Sequence, residues 1–213
     1  MKNIYAQSSF LTSAAKPSQA PTDIGGEVAF AGRSNAGKSS ALNTITNQTK
    51  LARTSKTPGR TQLLNFFQVN EDIRLVDLPG YGFAKVPLAV KLNWEKSLSE
   101  YLETRKSLKG MILLCDSRRA LTEYDQQMIL WCHQAGLAVH ILLTKSDKLK
   151  KGPAKASLLA AKRLLPTLHP DASVQLFSSL KKTGVDEAIK QLNQWLVTEK
   201  PGTDHGSSGD DML

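Results

Sequence analysis

The chain has 213 residues, enough for one domain with a sizeable core, and 40% of them are apolar, as in a soluble globular protein. The net charge is +9, and the last thirteen residues hold three aspartates and no Lys or Arg, so residues 1–200 carry +12 and point to a polyanionic partner such as nucleic acid. No apolar run is long enough to span a membrane, the first residues lack the apolar stretch of a signal peptide, and Cys115 and Cys132 sit in apolar runs without metal-ligand spacing, which argues against membrane, secreted and metal-scaffold classes and for the cytosol.

Residues 1–26 are polar and broken by Pro17, Pro21 and Gly25-Gly26. They read as an N-terminal extension whose Ile4, Tyr5, Phe10 and Leu11 can pack on the domain surface. From Glu27 onward, apolar runs predict strands at 27–31, 63–69, 72–76, 110–115, 138–143 and 172–177. Helical periodicity predicts helices at 38–47, 91–106, 123–135, 153–165 and 185–197. Thr122 followed by Glu123 and Asp125 is a helix start, and Pro153 suits a first helical turn. Strands alternating with helices imply an α/β domain over 27–198, with a six-stranded, mostly parallel sheet covered by helices on both faces. Only Asn70-Glu71 separates the second and third strands, so these should form a hairpin that leaves one antiparallel strand at the sheet edge. Segments 48–61 and 78–90 are irregular, and the acidic tail 199–213 has the composition of a disordered segment.

The chemistry begins after the first predicted strand. Gly32-Arg33-Ser34-Asn35-Ala36-Gly37-Lys38-Ser39 matches G-x-x-x-x-G-K-[ST], which arises by accident in a chain of this length roughly once in a hundred. Strand, glycine loop and helix in succession aim backbone N–H groups and the helix N-terminus at a phosphate. Lys38 would reach the outer phosphates and Ser39 would hold magnesium. Asp77-Leu78-Pro79-Gly80 follows an apolar strand, where the carboxylate can hold magnesium through a water and the Gly80 N–H can meet the terminal phosphate. Thr144-Lys145-Ser146-Asp147 follows another strand, and an aspartate there can accept both guanine donors, the ring N–H and the exocyclic amine, while the Lys145 stem lies along the base. The loop Phe177-Ser178-Ser179 can offer a backbone N–H to the guanine carbonyl. The four histidines are scattered and suggest no metal site.

With these four signals in order, the chain resembles the EngB family of bacterial GTPases, in the Era-like, translation-factor-related group, over residues 8–197. Its most specific parts are the stretch Glu27–Ser40, Thr57-Pro58-Gly59-Arg60-Thr61-Gln62, Asp77-Leu78-Pro79-Gly80-Tyr81-Gly82 and Thr144–Asp147. The resemblance implies a P-loop NTPase G domain that binds GTP and GDP. It implies that Thr61 gives its hydroxyl to magnesium, with Thr57 as the competing residue, and that Gly59, Arg60, Thr61, Gln62 and Leu63 surround the terminal phosphate. Thr144 stands where most GTPases carry Asn, and its hydroxyl can still bridge toward the phosphate loop. Tyr81 stands where many carry the Gln that orients the attacking water, so slow intrinsic hydrolysis is expected. The resemblance also implies a potassium ion near Asn35 as an accelerator. Basic residues beside the loops (Arg53, Lys56, Arg60, Arg118, Arg119, Lys145, Lys148, Lys150, Lys151, Lys155, Lys181, Lys182) suggest a phosphate-binding face. The implied partner is the large ribosomal subunit or its rRNA, with a requirement for normal septation; a monomer and no DNA or membrane partner are expected. Two competing readings are a P-loop ATPase or small-molecule kinase, and a nucleic-acid-binding module in which nucleotide is only structural.

Overall fold

The computed structural model describes residues 3–52, 63–81 and 88–197, with side chains from residue 96 onward in the helix that begins at 88. The predicted residues Arg53, Lys56, Thr57, Gly59, Arg60, Thr61 and Gln62 and the tail 199–213 lie outside these. The strands are β1 (Ser9–Ala14), β2 (Gly26–Gly32), β3 (Leu64–Gln68), β4 (Ile73–Asp77), β5 (Leu108–Asp116), β6 (Ala138–Thr144) and β7 (Ser173–Leu176). The helices are α1 (Lys38–Ile45), α2 (Leu88–Thr104), α3 (Glu123–Gln134), α4 (Lys151–Leu168) and α5 (Val185–Leu196).

One sheet runs in the order β1-β3-β4-β2-β5-β6-β7. The strands from β4 to β7 are mutually parallel, while β3 is antiparallel to both β4 and β1. The expected six strands are therefore seven, and the hairpin strand β3 is interior rather than at the edge. The additional strand comes from the N-terminal extension, and its weak signal has a physical cause. A register shift between Phe10 and Thr12 breaks the two-residue alternation, and of its six residues only Ala14 is buried. Tyr5, expected on the surface, is wholly buried, and its hydroxyl donates to Asn193 Oδ1 at 2.9 Å. Phe10 and Leu11 stay exposed, with the Phe10 ring T-shaped to that of Phe67, centroids 6.1 Å apart.

Alternation along β2 builds the two halves of the core. Val28 and Phe30 join Leu42 and Ile45 of α1 and Leu192 and Leu196 of α5 on one face. Ala29 and Ala31 face Leu98 and Tyr101 of α2, Met128 and Ile129 of α3, and Leu165 of α4 on the other. At the hairpin, Asn70 Oδ1 accepts from the N–H of Asp72 (3.0 Å) and of Ile73 (2.8 Å), a side-chain turn that closes a connection of four residues, 69–72, rather than the expected two. With the parallel strands aligned, the loops after β2, β4, β5, β6 and β7 emerge at one end of the sheet, as open α/β sheets require of a ligand site. Among the described residues no helix is long and apolar enough to cross a membrane.

Candidate functional site

The loop after β2 folds tightly because its residues permit it. Asn35 (φ 64°) and Gly37 (φ 96°) take left-handed conformations, and Gly37 caps α1. A Cβ at Gly32 would stand 2.8 Å from the Leu114 carbonyl oxygen, so only glycine fits where β2 enters the loop. The Ala36 N–H closes a turn on the Arg33 carbonyl at 2.9 Å.

The segment after β4 lies against this loop. Leu78 N–H donates to Phe30 O (3.0 Å), Tyr81 N–H to Gly32 O (3.3 Å) and Ser34 N–H to Tyr81 O (3.2 Å). Leu78 and Pro79 are buried, and a Cβ on Gly80 would come within 3.4 Å of Ser34 N. Lys38 Nζ donates to Asp77 Oδ1. Burial pushes the Asp77 carboxyl above the usual carboxylate range, and the Lys38 ammonium partly offsets that. Tyr81 turns away from the loop: its ring is in the core and its hydroxyl donates to Asp125 Oδ1 at 2.8 Å. Leu63 is half-buried, directly before β3. Ser39 is half-buried in the first turn of α1.

The third group of loops is bound to the first by side chains. Thr144 Oγ1 donates to Ala36 O at 2.5 Å and lies 3.2 Å from Cys115 O, the bridge expected of it. Lys145 is left-handed (φ 56°), and its Nζ donates to Asn35 O at 2.6 Å. Phe177 N–H donates to Leu143 O (2.9 Å), Ser146 N–H to Phe177 O (3.2 Å) and Ser178 N–H to Thr183 O (3.0 Å). Of the expected tripeptide, Ser179 is thus the residue whose N–H has no backbone partner among the described residues. Ser178 Oγ donates to Asp147 Oδ1 at 2.6 Å, and this hydrogen bond is the main reason the Asp147 carboxyl is held below its ordinary range. The site therefore presents an oriented anion at Asp147, a lysine stem beside it, and an amide-lined loop with Lys38 at its base. It can accept two donors at one end and an anion at the other.

Two participants carry no motif in the sequence. Asp116, ending β5, is chelated by Arg118 (Nε 2.9 Å, Nη2 2.7 Å) and meets Lys145 Nζ at 3.0 Å. Those hydrogen bonds, from Arg118 first, hold its carboxyl well below the usual range. Asp125 anchors Tyr81 while its other oxygen accepts from the N–H (2.9 Å) and hydroxyl (2.8 Å) of Thr122. A carboxylate directly after a predicted strand was the available signal for Asp116. None existed for the Tyr81–Asp125 pair, whose members are 44 positions apart.

The family model described as "50S ribosome-binding GTPase" matches residues 27–145. The chain is 59% identical to a "Probable GTP-binding protein EngB" of Hydrogenovibrio crunogenus over 93% of either chain, and 57% identical to one of Idiomarina loihiensis over 92% of this chain and 95% of that one. A crystal structure of a probable GTP-binding protein engB superposes with a TM-score of 0.63 at 18% identity, covering 80% of this chain and 98% of that one. Era, solved with MgGDPNP and a fragment of 16S ribosomal RNA, superposes with a TM-score of 0.61 at 21% identity over 84% of this chain and 59% of its own. At these identities the two structures establish the shared fold.

Proposed function

This chain belongs to the EngB family of GTP-binding proteins, GTP-hydrolysing enzymes, and from that premise we propose that it is a nucleotide-dependent switch in assembly of the large ribosomal subunit. Membership sets aside the ATPase and small-molecule kinase readings. The observation that carries the guanine end of the proposal is Asp147, kept anionic and oriented by Ser178. In this reading Asp147 accepts both guanine donors, Lys145 lies along the base, Ser146 and Phe177–Ser179 frame it, and the Ser179 N–H meets the carbonyl oxygen. Gly32–Ser39 cradle the phosphates, and Leu63, with the undescribed Gly59–Gln62, closes on the terminal one.

Magnesium fits the residues present. Asp77 lies at the mouth of the phosphate loop with its charge turned to Lys38, so a cation or a cation-bound water has an anionic partner there. Ser39 and Thr61 would hold the ion and Asp77 a bound water; the ion supplies charge neutralisation between the outer phosphates. Lys38, now spent on Asp77, would transfer to the phosphates and leave the carboxylate to that water. The Gly80 N–H would meet the terminal phosphate. Tyr81, committed to Asp125, would not orient the attacking water, which supports slow intrinsic hydrolysis with a potassium ion near Asn35 as the proposed accelerator.

The ribosomal role rests on the matched family model and on the excess positive charge of the chain. Free, buried Cys115 and Cys132 suit the reducing cytosol, where we place the protein as a monomer. A septation requirement would follow downstream of ribosome supply. Co-sedimentation with separated ribosomal subunits tests the switch. Binding to the large subunit is expected to be stronger with a non-hydrolysable GTP analogue than with GDP, and equal binding in the two states would overturn it.

A further inference from the structure

A groove of about 460 Å³ opens between the turn Ser117–Arg119 and α4, beside the guanine loops but outside them. Its floor is aliphatic, formed largely by Leu121, Leu149, Pro153 and Leu164. Arg118 and Arg119 line it and are exposed, and none of the described residues that line it is acidic. The helix that forms one wall, α4, carries exposed Lys151, Lys155, Lys162 and Arg163 and no Asp or Glu along its 18 residues. Ser117 lies under the groove, 3% exposed, and its carbonyl accepts from Ser157 Oγ at 2.8 Å, which ties the turn to α4 and fixes the spacing of the two walls.

We propose that this groove binds single-stranded RNA. One nucleotide splayed from its strand would seat its base on the aliphatic floor, and the neighbouring phosphates would lie on Arg118 and Arg119. The proposal rests on the ribosomal reading above and names its RNA-facing surface. The volume is that of a small-ligand site rather than of a duplex groove. The guanidinium fork matches phosphate oxygens in pairs. An acidic peptide would also meet the arginines, but the aliphatic floor beside them suits the flat face of an unstacked base, and the ribosomal reading supplies RNA as the polyanion. The surface is also joined to the phosphate loop. Arg118 chelates Asp116, Asp116 meets Lys145, and Lys145 donates to Asn35 O, so a phosphate that draws Arg118 away disturbs a contact of the nucleotide site.

The test is fluorescence anisotropy of the full chain, loaded with GDP, against a short fluorescein-labelled single-stranded RNA of mixed sequence. Ala160→Glu places an acid on an exposed helical position that lines the groove, and Lys162→Glu makes a larger charge change on the same helix outside the lining. Ala160→Glu is expected to weaken RNA binding by about tenfold, and Lys162→Glu by no more than about threefold, with GDP affinity unchanged in both. Arg119→Gln should reduce the slope of log affinity against log salt by about one. Equal losses in the two glutamate variants would mean diffuse charge attraction and overturn the groove. So would unchanged RNA affinity in Ala160→Glu, and if that variant also lost large-subunit co-sedimentation, the occupant would be a protein. A wild-type chain that binds the RNA through the groove yet shows no nucleotide-dependent subunit binding would overturn the switch and leave the groove standing.

Discussion

The Asp147 carboxylate is oriented by Ser178 Oγ at 2.6 Å, with Lys148 Nζ at 3.8 Å from its other oxygen, and the Ser178 bond is the chief reason its carboxyl is held below the ordinary range. A fixed acceptor of two guanine donors discriminates strongly, because the wrong base leaves a desolvated carboxylate unpaired. Asp147→Asn is expected to lower GDP affinity by about 10³-fold or more and to raise affinity for xanthosine diphosphate, whose ring carbonyl suits the new amide donor. Competition between the two nucleotides for the purified variant checks this. Asn35 is left-handed and exposed, and its carbonyl is engaged by Lys145. If potassium near this residue offsets transition-state charge, turnover in potassium should exceed that in sodium at equal ionic strength, and Asn35→Ala should abolish the difference. Equal rates in the two salts, with and without large subunits, would remove potassium from the mechanism.

Whole elements are tied together by polar contacts at their ends. Helix α3 starts with a reciprocal cap in which Asp125 receives the Thr122 N–H, and the same carboxylate holds Tyr81 at the end of the Asp77–Gly80 segment. Asp125 is 1% exposed, so loss of the phenol hydroxyl leaves part of a buried carboxylate unsatisfied. Tyr81→Phe is expected to destabilise the fold by about 1–3 kcal/mol, read from urea unfolding with an unchanged m-value. Strands β6 and β7 are joined by His140, whose Nδ1 pairs with Ser173 Oγ and Nε2 with Gln175 Oε1, both at 2.7 Å. Gln175 Nε2 donates to Gly184 O, which leaves its Oε1 as acceptor and makes Nε2 of His140 the protonated nitrogen. Burial lowers the His140 pKa below its ordinary 6.5, partly offset by Gln175. The unfolded chain therefore binds the extra proton first as pH falls. Stability present above pH 6.5 should be lost progressively below it, down through the folded-state pKa, and His140→Gln should flatten that slope in thermal melts between pH 7 and 5.5.

At the scale of the molecule, charge and topology serve different ends. The sheet order places five loops at one end, while the +9 charge acts on partners at a distance. The proposed binding to the large subunit should accordingly weaken steeply with salt, log affinity falling linearly with log concentration, and sedimentation at several potassium chloride concentrations measures the slope. The opposite end of the sheet is built for stability. There Glu27, wholly buried, accepts from Arg74 Nε (2.7 Å), Arg105 Nη2 (2.6 Å) and Tyr101 OH (3.1 Å), so β2, β4 and α2 share one carboxylate. Removing it would take from Arg74 and Arg105 the carboxylate they share, leaving Arg105 beside Asp23 at 3.5 Å and Arg74 on the carbonyls of Thr22 and Ile24.

Local chemistry was legible in the chain by itself. The glycine loop, Asp77–Gly80, Thr144–Asp147 and the five helices each depend on residues a few positions apart, where backbone conformation, capping and periodicity act. The bridge from Thr144 to the phosphate loop came instead from the resemblance, which sets Thr144 where most GTPases carry Asn, since its partner Ala36 is 108 positions away. What needed the tertiary structure were contacts between residues remote in sequence. The strand Ser9–Ala14 is held by backbone hydrogen bonds to β3, which demand no side-chain pattern, and its bulge erases the little alternation it has. Tyr81, read as a departure at the catalytic position, is decided by Asp125, which only the packing of α3 on the sheet brings within 2.8 Å. Asp116 likewise has meaning only beside Lys145 and Arg118, because a lone carboxylate after a strand acquires its charge state and orientation from the cations the fold sets around it.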